Sequence, residues 1–227
     1  MADNPALFRI ISLFEDLGED RLRAIAATCQ IVSHKSGAEV LSEQDQTKDV
    51  FFILQGSVRI NSITSAGREV IFSDLVAGDI FGEFAAIDHL PRSASVIAMT
   101  NCLLARMTSA QFIDLLRHDG LVASHMVELL VAKIRRLSER VFEVSALSLR
   151  ERVRRELIRL ASMGTRSGEG VMISPAPTHY EIAAKIGSHR EAVTREFNRL
   201  EDLGILESKR QMIRILRFRA LSDPMET

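Results

Sequence analysis

Residues 121–147 read LVASHMVELLVAKIRRLSERVFEVSAL, and the order of apolar residues in this stretch decides how the chain is organised. Ala123, Val127, Leu130, Ile134, Leu137, Val141 and Val144 recur at alternating spacings of four and three, the a/d rhythm of a coiled-coil seam. Lys133, Arg135, Arg136, Ser138, Glu139 and Arg140 flank this line of aliphatics. A lone surface helix would show a broader apolar stripe. At ~1.5 Å per residue the segment extends roughly 40 Å, long for a helix inside one small domain. It reads as a helix that pairs with a second copy in a homodimer and joins two domains. The competing reading is a helix packed within one subunit.

Outward from that helix, 227 residues suffice for two small domains with cores of their own. The expected division is 1–120, the helix and hinge at 121–147, and 148–227. Hydrophobic residues are 46% of the chain and charged residues 26%, a balance that excludes disorder. The longest apolar runs, such as Val50 to Leu54, fall far short of the ~18 residues that span a bilayer. Asp3 and the missing apolar core near MADNPALFRI argue against a secretory signal, so no membrane partner and a cytoplasmic location are expected. Cys29 and Cys102 sit among apolar or small neighbours and read as buried thiols.

The net charge of −1 hides a polarity. Residues 1–129 hold 10 Lys/Arg against 17 Asp/Glu, and residues 130–227 hold 19 against 13. A basic C-terminal half suggests that this half meets a polyanion.

Before the seam helix, residues from Pro5 to Thr28 read as helical. From Gln30 to Met107 the pattern changes to short β-branched or aromatic runs punctuated by Gly37, Gly56, Gly67, Gly78 and Gly82. VFFILQGSVRI and REVIFSDLVAGDIFGE read as antiparallel strands with tight turns, giving a small β-barrel or roll. A short helix after Met107 is expected to start on Thr108 or Ser109 and to stop at Gly120.

One segment, residues 82–95, carries more than a solvated loop needs: GEFAAIDHLPRSAS. Gly82 lets a ligand approach the backbone, Glu83 can accept from a sugar hydroxyl, and Arg92 offers a planar fork suited to phosphate, with the Ser93 hydroxyl beside it. An ion pair between Glu83 and Arg92 is the plainer alternative, and it would not call for Gly82, Pro91 and Ser93.

The segment resembles the phosphate-binding cassette of cyclic-nucleotide-binding domains: Gly-Glu, a short helical turn, then Pro-Arg-x-Ala. The resemblance implies that Glu83 takes the ribose hydroxyl and that Arg92 and Ser93 take the cyclic phosphate. It also implies that Gly82, Phe84, Ile60 and Phe72 line the pocket. In that family the long helix closes over the nucleotide, and Leu137-Ser138-Glu139-Arg140-Val141 resembles the Thr-Ser-Glu-Lys-Val of cyclic AMP receptors. Ser138 keeps the hydroxyl; Leu137 replaces the threonine, and Lys133 stands where those members carry arginine. Cyclic AMP, cyclic GMP or both are therefore expected as allosteric ligands, with no cofactor.

Beyond a hinge at residues 145–148, LRERVRRELIRLASMG reads as an amphipathic basic helix and residues 164–177 as a loop. Thr178 and Glu181 have capping-box spacing for a helix that ends at Gly187, and Ser188 is a candidate cap for the next. On that second helix Val193, Phe197 and Leu200 share one face, and Glu191, Thr194, Arg195 and Asn198 point the other way. Two such helices make a helix-turn-helix. Arginine matches guanine and glutamate matches cytosine; His179, Lys185, His189 and Arg199 are candidates for the phosphate backbone, and Thr178 and Ser188 are counted with them as DNA-binding residues.

SHREAVTREFNRLEDLGILE resembles the recognition helix of CRP/FNR bacterial transcription regulators. In the cyclic AMP receptor branch, Arg-Glu followed by a second Arg reads a TGTGA-like half-site, and Arg190, Glu191 and Arg195 fill those places. Segments 205–207 and 213–216 resemble the strands of a wing. Together the resemblances imply an α+β protein: a jelly-roll-like cyclic-nucleotide-binding domain, a dimerisation helix and a winged helix-turn-helix. They also imply double-stranded DNA and RNA polymerase as partners.

Three other readings stay open. A haem sensor would need an axial ligand such as His89, and two distant cysteines are too few for an iron–sulfur cluster. An enzyme would need a constellation that the histidines at 34, 89, 118, 125, 179 and 189 do not form, so none is expected. The fourth reading is a DNA binder that needs no effector.

Overall fold

The computed structural model describes residues 5–167 and 170–222. They form two compact units, Met1–Arg135 and Arg136–Thr227.

The first unit opens with 3-10 turns at Pro5–Ile10 and Ser12–Phe14 and with α1 (Glu19–Ala27). Strands β1 (Gln30–His34), β2 (Glu39–Leu41), β3 (Val50–Gln55), β4 (Ser57–Ile63), β5 (Glu69–Val76) and β6 (Ile80–Phe81) follow, then α2 (Glu83–Asp88), β7 (Ser95–Ala98) and β8 (Cys102–Met107). They assemble as two four-stranded antiparallel sheets, β1-β8-β3-β6 and β2-β7-β4-β5. This is the expected roll, with one correction. β3 and β4 do not pair as neighbouring strands of a hairpin; the chain crosses from one sheet to the other at Gly56, and the hairpin is β4–β5.

The reason lies in β3, VFFIL, which is buried on both faces. Phe51 and Ile53 enter the core between the sheets with Val58, Leu75, Phe81, Val96 and Leu104. Val50, Phe52 and Leu54 enter a second core with Phe8, Phe14, Phe112, Val122 and Met126. Alternation by twos sends successive residues into different cores, so the strand reads as one apolar run. Cys29 and Cys102 are free and buried, one in each core. Burial pushes the Cys29 thiol up to about 12.

α3 (Ser109–His118) begins at a capping box between Thr108 and Gln111. Gly120 does not stop it. Asp119 is the C-cap, and its Oδ1 accepts from the amides of Leu121 and Val122, both at 3.1 Å. An acid there satisfies two orphan donors, so Gly120 becomes the first residue of α4 (Gly120–Ala146). Val122 and Met126 are buried against the roll, while Val127, Val131, Ile134, Leu137, Val141 and Val144 are exposed. The division between the two units falls inside this helix.

In the second unit Ser148 caps α5 (Leu149–Ser162) in a box with Glu151. The end of α4 is held to α5 by Glu143, which is 2% exposed and paired with Arg140, Arg155 and Arg159. The expected loop at 164–177 contains two strands, β9 (Thr165–Ser167) and β10 (Gly170–Ile173). Together with β11 (Leu206–Lys209) and β12 (Met212–Ile215) they form a sheet of order β11-β12-β10-β9. β10 is too short to show periodicity, and its pairing of Ile173 with Ile213 joins residues 40 apart. Between the strand pairs lie α6 (His179–Ile186) and α7 (Arg190–Asp202); α8 (Phe218–Ser222) closes the unit. Val153, Leu157, Ile182, Ile186, Val193, Phe197, Leu200, Ile213 and Ile215 are its core.

Candidate functional site

In the roll, the cassette is built around a left-handed turn. Gly82 has φ +83°, and a Cβ there would lie 2.8 Å from the Asp49 carbonyl oxygen and 2.9 Å from the Arg92 guanidinium. Only glycine meets both demands. Glu83 is the first residue of α2, 3% exposed, and ion-paired to Lys133 of α4, whose Nζ lies 5.5 Å from the Phe84 ring centroid.

Arg92 is 2% exposed. Its Nε donates to Thr47 Oγ1 at 3.2 Å, Nη1 to the Gly82 carbonyl at 2.9 Å and Nη2 to the Asp49 carbonyl at 2.9 Å. Burial draws its pKa below the usual value, against the pull of Asp49, Asp45 and Glu83; a guanidinium remains charged all the same. Three of five N–H donors are thus engaged, which fixes the plane and leaves two for an anion. Ser93 follows with its side chain exposed. Glu83 and Arg92 therefore have separate partners, and the plain loop ion pair does not describe them.

Of the other expected pocket residues, Ile60 is half-buried against the inter-sheet core. Phe72 is the extra residue of a bulge, since Ile60 pairs with Ser73 and Asn61 with Ile71, and it is exposed, as is Phe84. Leu137 and Ser138 are exposed on α4 beyond residue 135, in the second unit. The sequence reading missed Thr47 and Asp49, which hold Arg92. They lie in a polar stretch before β3 with no periodicity to single them out.

The second candidate site is the paired helices α6 and α7. Thr178 caps α6 in the expected box: the Glu181 amide donates to Thr178 Oγ1 at 3.2 Å, and the Thr178 amide donates to Glu181 Oε2 at 2.8 Å. Gly187 ends the helix at φ +65°. Ser188 is not the next cap. His189 occupies the N-cap of α7 with no side-chain hydrogen bond, and the Ser188 amide instead donates to the Ala183 carbonyl, closing the turn.

Val193, Phe197 and Leu200 are buried, while His189, Arg190, Glu191, Arg195 and Asn198 are exposed, so the helix is divided as its sequence predicts. Thr178, His179, Tyr180 and Arg190 line a shallow concavity. Arg199 is paired with the buried Glu196 through two hydrogen bonds of 2.7 and 3.0 Å. Thr194 does not face outward alone: it is hydrogen-bonded to His179.

A cassette-bearing roll in one unit and a helix-turn-helix in the other are the architecture of a two-domain transcription regulator. Residues 31–119 match the family model for the cyclic nucleotide-binding domain, and residues 151–223 match that for the Crp-like helix-turn-helix domain. The chain belongs to the CRP/FNR family of transcription regulators. It is 28% identical over 194 residues to the cAMP-activated global transcriptional regulator Vfr of Pseudomonas aeruginosa, covering 83% of this chain and 90% of Vfr. The fold is shared with the c-di-GMP responsive global regulator CLP of Xanthomonas campestris, at TM-score 0.76, 18% identity, and 83% and 94% coverage. It is shared equally with a CooA mutant from Carboxydothermus hydrogenoformans, at TM-score 0.76, 19% identity, and 92% and 90% coverage. Among the described residues no helix is long and apolar enough to cross a membrane.

Proposed function

We propose that the chain works as a homodimer in which the roll binds cyclic AMP or cyclic GMP and the α6–α7 module then reads TGTGA-like half-sites in double-stranded DNA. In this reading residues 1–120 hold the ligand, 121–147 form the dimer helix, and 148–227 carry the reading module. Arg92 and Ser93 take the cyclic phosphate. Glu83 takes the ribose hydroxyl on the lone pairs that Lys133 leaves free. Leu137 and Ser138 meet the base. Arg190, Glu191 and Arg195 read bases, and His189 meets the backbone.

The observation that carries the ligand reading is Arg92: a cation almost wholly removed from solvent, with its plane set by three oxygens and two donors to spare. Such an arrangement costs desolvation and is suited to an anion that arrives with its own charge. The dimer reading rests on the exposed apolar line from Val127 to Val144, which no residue of the same helix can cover. In a dimer the ligand need only favour one arrangement of the two α4 helices to change the spacing of the two reading heads, ideally ~34 Å on B-DNA.

Calorimetric titration with cyclic AMP, cyclic GMP and, because the fold is shared with CLP, cyclic di-GMP tests the ligand. Binding of a cyclic mononucleotide that weakens about tenfold in Ser93→Ala, an exposed position, is the expected result. Binding of cyclic di-GMP alone, or of none, would reject the ligand named here. DNA binding measured with and without the nucleotide then separates ligand control from constitutive binding.

A further inference from the structure

His179 is the first residue of α6 and sits half-buried, with its ring centroid 4.4 Å from that of Phe197 on α7. Its Nδ1 lies 2.9 Å from Thr194 Oγ1. Thr194 Oγ1 lies in turn 2.9 Å from the carbonyl oxygen of Arg190, one helical turn back. A threonine hydroxyl has one hydrogen, and a carbonyl can only accept. The hydrogen therefore goes to Arg190, and Thr194 Oγ1 accepts from His179 Nδ1–H. This fixes the tautomer: in the neutral ring Nε2 carries a lone pair and no proton. Burial holds the ring's pKa below its ordinary value and so favours the neutral form; Glu201 pulls it up and Arg190 pulls it down.

A neutral imidazole whose free nitrogen is an acceptor does not bind phosphate. A threonine whose hydrogen is committed to its own helix has no hydrogen to offer a base. Both residues look like DNA contacts in the sequence, and their geometry gives them another task. We propose that His179 is a positioning residue for the reading helix, acting through Thr194 to fix the first turn of α7 and thereby the aim of Arg190 and Glu191. The tie starts from a fixed point, because the Thr178–Glu181 box locks the residue before His179. It ends on the carbonyl of Arg190, beside the exposed side chains that the proposed function assigns to base reading. This inference rests on that assignment.

The test uses the full-length protein and the duplex that the wild type enriches from a random-sequence pool, with and without cyclic AMP. Binding to that duplex and to a scrambled duplex is measured across a potassium chloride series for wild type, His179→Ala, His179→Asn and Thr194→Val. Positioning predicts that His179→Ala and Thr194→Val each weaken the enriched duplex about tenfold, near the lower end of what a single bidentate base pairing is worth. The scrambled duplex should change less than twofold, with the salt slope the same. The double variant should be no weaker than either single variant, since both remove one tie. His179→Asn, which keeps a donor near the Nδ1 position, should recover most of the affinity.

Equal weakening on both duplexes, with a salt slope smaller by about one, would make His179 a phosphate contact and overturn the proposal. Additive effects in the double variant would overturn it too, as would wild-type affinity in Thr194→Val. If the wild type enriches no sequence, base reading itself fails and the inference falls with it. Enrichment by the wild type with unchanged variants removes the inference alone. Thermal melts identify a variant that fails to fold, and Thr194→Val, nearly the same shape, then carries the comparison.

Discussion

Arg92 in the roll is 2% exposed and held by three protein oxygens, whereas Arg190 and Arg195 on α7 lie open to solvent. A small anion presents little surface, so the cation that meets it must already be stripped of water and aimed. In the proposed function DNA brings a long charged surface and its own field, so exposed arginines on a helix seated on Val193, Phe197 and Leu200 suffice. The same side chain is part of the architecture in one unit and a free probe in the other. Removing the buried arginine should therefore cost stability as well as affinity, and removing an exposed one should cost affinity alone.

The largest effect is expected at the buried end of that contrast. Arg92→Ala leaves the carbonyls of Gly82 and Asp49 and the hydroxyl of Thr47 without their donor, and should lower unfolding free energy by about 3 kcal/mol in urea titration and abolish nucleotide binding. Unchanged stability would mean that Arg92 is not built in as described. Glu143→Ala removes a buried carboxylate whose partners Arg155 and Arg159 are half-exposed and can rehydrate, so about 2 kcal/mol is expected from the same titration.

At the exposed end, Arg195→Ala should leave stability within about 0.5 kcal/mol and cost about 1–3 kcal/mol of affinity for the preferred duplex in a gel-shift titration. A drop in stability there would erase the contrast. The smallest effect is a sharpening: Leu137→Thr restores a hydroxyl on α4 and should shift the ratio of cyclic AMP to cyclic GMP affinity by about 1 kcal/mol towards cyclic AMP in calorimetry. No shift would show that Leu137 does not touch the base.

What the sequence reveals is what is local. The cassette is legible because Gly82, Glu83, Pro91 and Arg92 fall within eleven residues, and the boxes at Thr108–Gln111 and Thr178–Glu181 because each spans a single turn. The rhythm of α4 is legible because one helix repeats it. Thr47 and Asp49, the anchors of Arg92, are separated from it by more than forty residues and belong to no pattern. The hand-over of β3 and β4 between sheets also escapes, because β3 pairs with β8, some fifty residues on, and local turn chemistry at Gly56 is blind to that partner. His179 and Thr194 lie on two different helices, so their hydrogen bond is invisible to either helical pattern; each alone looks like a DNA contact.

The two cysteines offer a last consequence. Cys29 and Cys102 lie in the two separate cores of the first unit, both free and buried, and the second unit's sequence has none. A thiol pushed to about 12, as Cys29 is, reacts with a disulfide reagent only when its core opens. The chain thus carries two built-in chemical clocks. Following each thiol by mass spectrometry during slow labelling would time the opening of the core beneath α1 and of the core between the sheets independently. The reading module stays silent throughout, and no engineered probe is required.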